Sequence, residues 1–367
     1  MTPSPAHPPS RRERYRSRVR GCLLGGAVGD ALGAPVEFRA LAQIRAAHGG
    51  AGVRRFLPAY GREGGAITDD TQLTLFTAEG LIRAARPAGS GCDAVPCVDR
   101  AYQRWLDTQT HPLPTGERDG WLQGETWLYA RRAPGTTCLD ALTLRRGGAE
   151  PGRAANTSMG CGGVMRVAPV GLLPSRSESE VFTIAERCAA LTHGHPCGTL
   201  PAGAFAVIVH RLAHCDSIEL AVAAAIAELA RHPGHEETTL ALLAGRKATA
   251  HPPSAEVVER LGGGWVGHEA LAIAVYAALA HPGPDEVLDA LALAVTHSGD
   301  SDSTGAICGN ILGVLHGEAA LPGELARAVE GRDTVLRIAD DFARRFGAGS
   351  PPPPWEDPAD RERYPAG

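Results

Sequence analysis

The chain has 367 residues, 44% hydrophobic and 21% charged, with 36 Lys and Arg against 41 Asp and Glu for a formal net charge of −5. That balance supports a large buried core and argues against nucleic acid as a partner, because no broad basic excess is available to neutralise phosphates. The start lacks the apolar core of a secretory signal, and no run approaches the roughly 20 apolar residues of a membrane-spanning helix, so the expected location is the cytoplasm.

In chain order, residues 1–17 carry four prolines before position 10 and lead into six arginines between Arg11 and Arg20. They are expected to form a disordered basic tail ahead of the first helix. Leu23, Leu24, Ala27, Val28, Ala31 and Leu32 then form a helical stripe. The glycines between them let neighbouring helices approach closely, at some cost in helix propensity. No strand precedes these glycines, so they are not a dinucleotide-binding fingerprint. Pro35 marks the change to a loop, and Glu37 is either a surface acid or a mobile carboxylate near a site.

Thr68-Asp69-Asp70-Thr71-Gln72 opens the next apolar run. Thr68 or Asp69 can act as an N-cap, and the spacing from Asp69 to Gln72 fits a capping box. Capping explains only one carboxylate. Two adjacent acids flanked by two threonines also offer four hard oxygens on one turn, which suits magnesium or manganese better than zinc or copper. Residues 84–120 are richer in Gly, Pro and Cys and read as loop around one helix from Val98 to Thr108. In Asn156 to Arg166, glycines beside small polar residues form either a flexible loop or a phosphate cradle of backbone N–H groups. His193-Gly194-His195-Pro196 reads as a turn or a substrate contact.

Helical spacing recurs through Ile218 to Leu229, Val287 to Val295, Ile307 to Leu315 and Val335 to Phe342, with breaks at 231–234 and 281–284. Between two of these helices lies His297-Ser298-Gly299-Asp300-Ser301-Asp302-Ser303-Thr304-Gly305, ahead of a helix expected near Ala306. Asp300 and Asp302 alternate with hydroxyls, without the further acids and closing Glu of an EF-hand loop. Residues 348–367 contain six prolines and are expected to be a Pro-rich tail. The nine cysteines include no CxxC pair, which indicates neither a disulfide framework nor a zinc ribbon. The fold class expected is all-α, one compact multi-helix domain over residues 18–347.

If the fold brings Asp69 and Asp70 to Asp300 and Asp302, four carboxylates repel one another unless divalent cations neutralise them. A paired-metal site is the simplest relief.

The segments GDALGAPVEF, TDDTQLTL, GCGGVMRVAPVG with a later HGHP, and HSGDSDSTGAICGNILG occur in this order. Together they resemble the ADP-ribosylglycohydrolase family, which includes the dinitrogenase reductase-activating glycohydrolase and the ADP-ribosylarginine hydrolases. The resemblance spans Gly21 to Gly317. It implies an all-helical fold with two Mg2+ or Mn2+ ions in a cleft, ligated by Thr68, Asp69, Asp70, Asp300, Asp302 and Ser303. It makes Glu37 the leading acid/base candidate, with Asp70 second. Gly160, Cys161, Gly162 and Gly163 match the loop near the diphosphate, His193 a ribose or phosphate contact, and Trp265 or Tyr276 a position near the adenine. His268 departs from the family, whose members usually carry an acid there, so the adenine placement is loose.

The activity implied is cleavage of the glycosidic bond at the distal ribose, releasing ADP-ribose from an ADP-ribosylated protein or small conjugate; a monomer is expected, although no residue pattern bears on the oligomeric state. A non-catalytic ADP-ribose-binding protein and a metal-dependent nucleotide phosphoesterase are the alternatives. Whether the leaving group is arginine, serine, a base or a metabolite stays open.

Overall fold

The computed structural model describes residues 9–85, 93–115, 119–148, 152–214, 217–347 and 357–365. Helices form all the regular structure there, and only two isolated bridges occur, Ala59 with Arg62 and Gly160 with Val266. The first half holds α1 (Arg11–Gly33), α2 (Leu41–His48), α3 (Asp69–Ala84), α4 (Ala94–Thr110) and α5 (Thr136–Arg146). The middle holds α6 (Ala168–Gly171), α7 (Glu178–Ala190), α8 (Pro196–Ala213), α9 (Ile218–Leu229) and α10 (Glu236–Ala248). The last part holds α11 (Ala255–Leu261), α12 (Gly267–Ala280), α13 (Val287–Val295), α14 (Ser301–His316), α15 (Gly323–Ala328), α16 (Arg332–Phe346) and α17 (Pro358–Arg363). None of these helices is long and apolar enough to cross a membrane.

The centre of the molecule is the antiparallel pair α1 and α14, held at very short range by glycines spaced four apart on both helices. A Cβ on Gly25 would lie 2.3 Å from the Gly309 carbonyl oxygen, one on Gly29 1.9 Å from that of Gly305, and one on Gly33 2.2 Å from that of Ser301. Every other residue type therefore forces the two backbones apart. Asn310 adds a polar tie across the pair, its Nδ2 donating to the Cys22 carbonyl at 2.8 Å. Because the pair is antiparallel, the end of α1 lies against the start of α14, which puts Asp30 and the loop bearing Glu37 beside Asp302. Around this pair one continuous apolar core includes Leu24, Leu32, Phe76, Trp105 and Phe342, with a smaller cluster at Ala248, Val257, Val258, Ile273 and Tyr276.

Several expected boundaries move. The basic stretch assigned to a tail is helix from Arg11 onward, because Ser10 and Glu13 form a capping box. Its arginines also have partners: Arg16 and Arg20 pair with Asp340 at 2.7 and 2.9 Å, and Arg18 donates to the Ala213 carbonyl at 2.8 Å. Helix α4 starts at Ala94, four residues before the expected Val98. Pro96 is tolerated in its first turn, where no backbone donor is needed, and Asp93 caps Val95 N–H at 3.1 Å. Helix α14 starts at Ser301 rather than near Ala306, because Asp300 caps the Ser303 N–H at 3.3 Å.

In the Pro-rich stretch, α17 docks through Asp360 to Arg344 at 2.9 Å and through Tyr364 Oη to Asp341 at 2.8 Å. Residues 1–8, 348–356 and 366–367 of the two expected tails lie outside the described residues.

Candidate active site

The site begins with a carboxylate in an apolar helix. Asp30 is fully buried near the end of α1 and accepts four hydrogen bonds. These come from Thr68 N–H at 3.0 Å, Thr68 Oγ1 at 2.9 Å, Thr71 N–H at 3.1 Å and Thr71 Oγ1 at 2.5 Å. Burial pushes Asp30 up to about 6, and the four donors hold it down from going further. Asp30 thereby satisfies backbone groups at the start of α3 and places that start against the end of α1.

Thr68 is the N-cap of α3, accepting from Asp70 N–H at 3.3 Å, and Asp69 and Asp70 occupy the first turn. Both acids are only 3% exposed. Burial and neighbouring carboxylates raise both well above the ordinary range; Asp302 is the strongest charge acting on Asp70, and Asp30 and Asp300 act on Asp69. The two acidic turns, 230 residues apart in the chain, meet across the end of α1, where Asp30 accepts from Thr68 and Thr71 and Gly33 packs against the backbone of Ser301 and Asp302.

On the other side Asp300 accepts from the Cys161 thiol at 2.7 Å, while burial and Asp30 raise Asp302 to about 7. Glu37 is half-buried, and its carboxyl is pushed up to about 10 by burial, with Asp302, Asp300, Asp69 and Asp30 adding repulsion. Ligand atoms of Glu37, Asp300 and Asp302 lie within 4.8 Å of one another, a grouping able to hold a metal ion.

The donor set fits a hard divalent cation. Glu37 Oε2, Asp69 Oδ2, Asp70 Oδ2 and Asp302 Oδ1 are all buried without a hydrogen-bond partner. Orphaned buried carboxylate oxygens are costly in a protein interior, and a divalent cation among them would relieve that cost where protons do not. Of the two hydroxyl candidates, Thr68 Oγ1 donates to Asp30, and Ser303 Oγ lies 3.6 Å from both Cys161 Sγ and Met165 Sδ.

The glycine loop lies on the same side, but its amides are partly committed. Gly160 N–H donates to Ser158 Oγ at 3.3 Å and Cys161 N–H to the Trp265 carbonyl at 3.1 Å. Gly162 and Gly163 complete the short 3-10 turn Cys161–Gly163, with Gly163 packed against the Gly198 carbonyl. His193 sits beneath this loop, 1% exposed, with Nδ1 2.8 Å from Thr192 Oγ1. Burial and the nearby Arg166 guanidinium lower it to about 3, so the ring is neutral and supports Gly160 and Gly162 from below.

Trp265 is 43% exposed and stacks on the 72% exposed Phe38, with ring centroids 5.1 Å apart. It therefore stands at the mouth beside Glu37. Tyr276, the other residue considered for an adenine contact, is fully buried in the smaller core cluster, away from any ligand surface.

Residues without an assignment from sequence complete the picture. Asp30 is the main one; it lies in the GDALGAPVEF segment as a carboxylate inside a glycine-rich apolar stripe, with no role given to it there. Phe38, Tyr60 and Ala133 are the non-glycine residues with positive φ among the described residues, at 65°, 50° and 48°. Phe38 follows Glu37. Burial and the charges of Asp302 and Glu37 raise the Tyr60 phenol. Ala133 lies two residues before Gly135, whose backbone N–H acts on Asp69. Strained backbone of this kind concentrates at functional sites.

The model for the ADP-ribosylglycohydrolase family matches residues 11–351. The chain belongs to this family. Its members include enzymes named as glycohydrolases, and this chain is a glycohydrolase. It is 27% identical over 367 aligned positions to the ADP-ribosylhydrolase ARH3 of Bos taurus, covering 91% of this chain and 94% of the relative. It is 28% identical over 204 positions to the ADP-ribosyl-[dinitrogen reductase] glycohydrolase of Rhodospirillum rubrum, covering 53% and 58%. A solved structure titled ADP-ribosylglycohydrolase-related protein complex shares the fold with a TM-score of 0.66 at 24% identity, over 90% of this chain and 98% of that one.

Proposed function

We propose that this cleft hydrolyses the glycosidic bond at the distal ribose of an ADP-ribosyl group carried by a protein or a small conjugate, and releases ADP-ribose. The observation that carries the reading is the set of four buried, unpartnered carboxylate oxygens contributed by two helix starts and one loop. The names of the bovine and R. rubrum relatives support an ADP-ribosylated substrate.

Thr68, Asp69, Asp70, Asp300, Asp302 and Ser303 would hold two Mg2+ or Mn2+ ions. Bound there, such cations neutralise the acids and offer hard Lewis-acid positions for sugar hydroxyls. The chain's own residues supply the rest. Cleavage at the anomeric carbon builds oxocarbenium character, which a wall of carboxylates stabilises. Glu37 stands among these acids, with a carboxylate oxygen within 4.8 Å of Asp300 and Asp302, so it can hold a proton for the leaving group and then take one from the attacking water. Asp70 is the alternative acid/base. Trp265 and Phe38 form an aromatic edge beside Glu37 on which the adenosine part can rest, and the Gly160–Gly163 loop borders the diphosphate.

The test is a panel of ADP-ribosylarginine, ADP-ribosylserine and small ADP-ribosyl conjugates, with products identified by mass. Release of ADP-ribose that chelation and Asp302→Ala both abolish is expected. Undiminished release from Asp302→Ala refutes the cation assignment; phosphate release, or binding without turnover, refutes the reaction. Glu37→Gln is expected to slow turnover about 10²–10⁴-fold with little change in melting temperature.

A further inference from the structure

Ile67, the residue before Thr68, is held on both of its backbone groups by one buried ion pair. Arg132 Nη1 donates to the Ile67 carbonyl at 3.1 Å, and Glu330 Oε2 accepts from the Ile67 N–H at 3.3 Å. Arg132 and Glu330 also meet each other in a two-pronged pair, with Arg132 Nη2 2.9 Å from Glu330 Oε1 and Nη1 against Oε2. They come from unrelated parts of the chain, 198 residues apart, and are 8% and 7% exposed. A second tie runs from Glu330 N–H to the Gly65 carbonyl at 2.9 Å.

Two of the three strained residues adjoin this pair. Tyr60 lies with its ring under the Arg132 guanidinium, 5.7 Å from the centroid, and Ala133 is the next residue after Arg132. Backbone in the left-handed region persists only where its surroundings over-determine it. The same arm flanks the first turn of α3, where Gln72 Nε2 donates to the Ala130 carbonyl at 3.0 Å. One ion pair thus grips the segment entering the first acidic turn and anchors the loop that flanks it.

We propose that Arg132 and Glu330 are positioning residues for the reaction, whose grip on Ile67 sets where Thr68, Asp69 and Asp70 stand and so tunes the affinity of the cleft for divalent cations. The proposal rests on the reading that this turn binds cations. It differs from a simple stabilising role in what it predicts for ligand geometry. Groups that orient metal ligands from behind typically govern metal affinity about 10–100-fold.

The molecule provides a matched control. Glu79 is also fully buried, paired with Arg104 Nη2 at 2.7 Å, and it too accepts from a backbone N–H, that of Leu122 at 3.0 Å. That pair holds Leu122, not the acidic turn.

The experiment compares Mn2+ affinity by calorimetry, together with kcat and KM for ADP-ribose release, in the wild type, Glu330→Gln and Glu79→Gln, with folding followed by circular dichroism. Glu330→Gln is expected to weaken Mn2+ binding about tenfold or more, and Glu79→Gln to stay within about twofold of wild type at a comparable fall in melting temperature. Arg132→Lys keeps the charge but cannot serve the Ile67 carbonyl and both Glu330 oxygens together. It is read the same way, and replaces Glu330→Gln if that variant does not fold.

Wild-type Mn2+ affinity in Glu330→Gln, or equal weakening in Glu79→Gln, overturns the proposal while leaving the cation reading intact. A wild-type protein that binds neither Mn2+ nor Mg2+ overturns the cation reading and the proposal with it.

Discussion

The two acidic helix starts face each other but are held in place by different physics. The start of α3 is fixed by polar groups: Asp30 satisfies Thr68 and Thr71, and Arg132 with Glu330 grips Ile67. The start of α14 is fixed first by shape, through glycines that allow its backbone to lie against that of α1, and then by Asp300, whose N–H donates to the Gly263 carbonyl at 2.8 Å and whose carboxylate accepts from the Cys161 thiol. One half of the site therefore tolerates small changes in volume but not the loss of a hydrogen-bonding group. The other half is the more sensitive to added volume, because its glycines face rigid backbone.

The largest effect expected is on the steric half. Gly305→Leu places a Cβ 2.4 Å from the Gly29 carbonyl oxygen, within rigid backbone, and should abolish folding or cost more than about 4 kcal/mol in urea melts. Near-normal stability in that variant would break the contrast at once.

On the polar half, Asp30→Ala leaves two backbone N–H groups and two hydroxyls without their acceptor. The expected cost is about 3 kcal/mol, together with weaker Mn2+ binding by calorimetry. Here a loss of volume alone is not the cause, so Asp30→Leu should be no better than Asp30→Ala.

A third expectation concerns pH. Asp30, Asp302 and Glu37 sit at about 6, 7 and 10 in the folded chain, all above their ordinary values. An acid held above its ordinary value binds its proton more tightly when folded, so its stabilising effect is complete below that ordinary value. It is lost as pH climbs through the folded value. With EDTA present, the melting temperature should therefore fall between pH 5 and 9, and Mn2+ should restore it increasingly toward the alkaline end. A melting temperature indifferent to Mn2+ at every pH would remove the physical basis of the cluster.

The smallest effect belongs to Cys161→Ala, which deletes one thiol donor to Asp300 while the glycine packing stays intact. Mn2+ affinity should change less than tenfold and stability by about 1 kcal/mol or less.

Much of this site was readable from one dimension, because local chemistry leaves local marks. Acids and threonines on one turn, ahead of an apolar run, are visible as Thr68-Asp69-Asp70-Thr71; Asp300 and Asp302 beside hydroxyls are visible in the same way. The glycines of α1 already announced close helix contact. Their partners were not announced, since the register that sets Gly29 against Gly305 depends on which of many helices packs there. Trp265 could be placed near the site by resemblance, whereas its stack on Phe38 could not, as the two lie on different loops.

The residue pattern alone establishes the helices, the two acidic turns and their hard-oxygen chemistry, because caps, apolar periodicity and ligand type act over a few residues. Folding in three dimensions decides that the turns converge, that Asp30 serves Thr68 and Thr71, that His193 is a neutral support, and that Arg132 and Glu330 close on Ile67. Those outcomes depend on burial and on contacts between segments up to hundreds of residues apart, and neither quantity is written in the order of the residues.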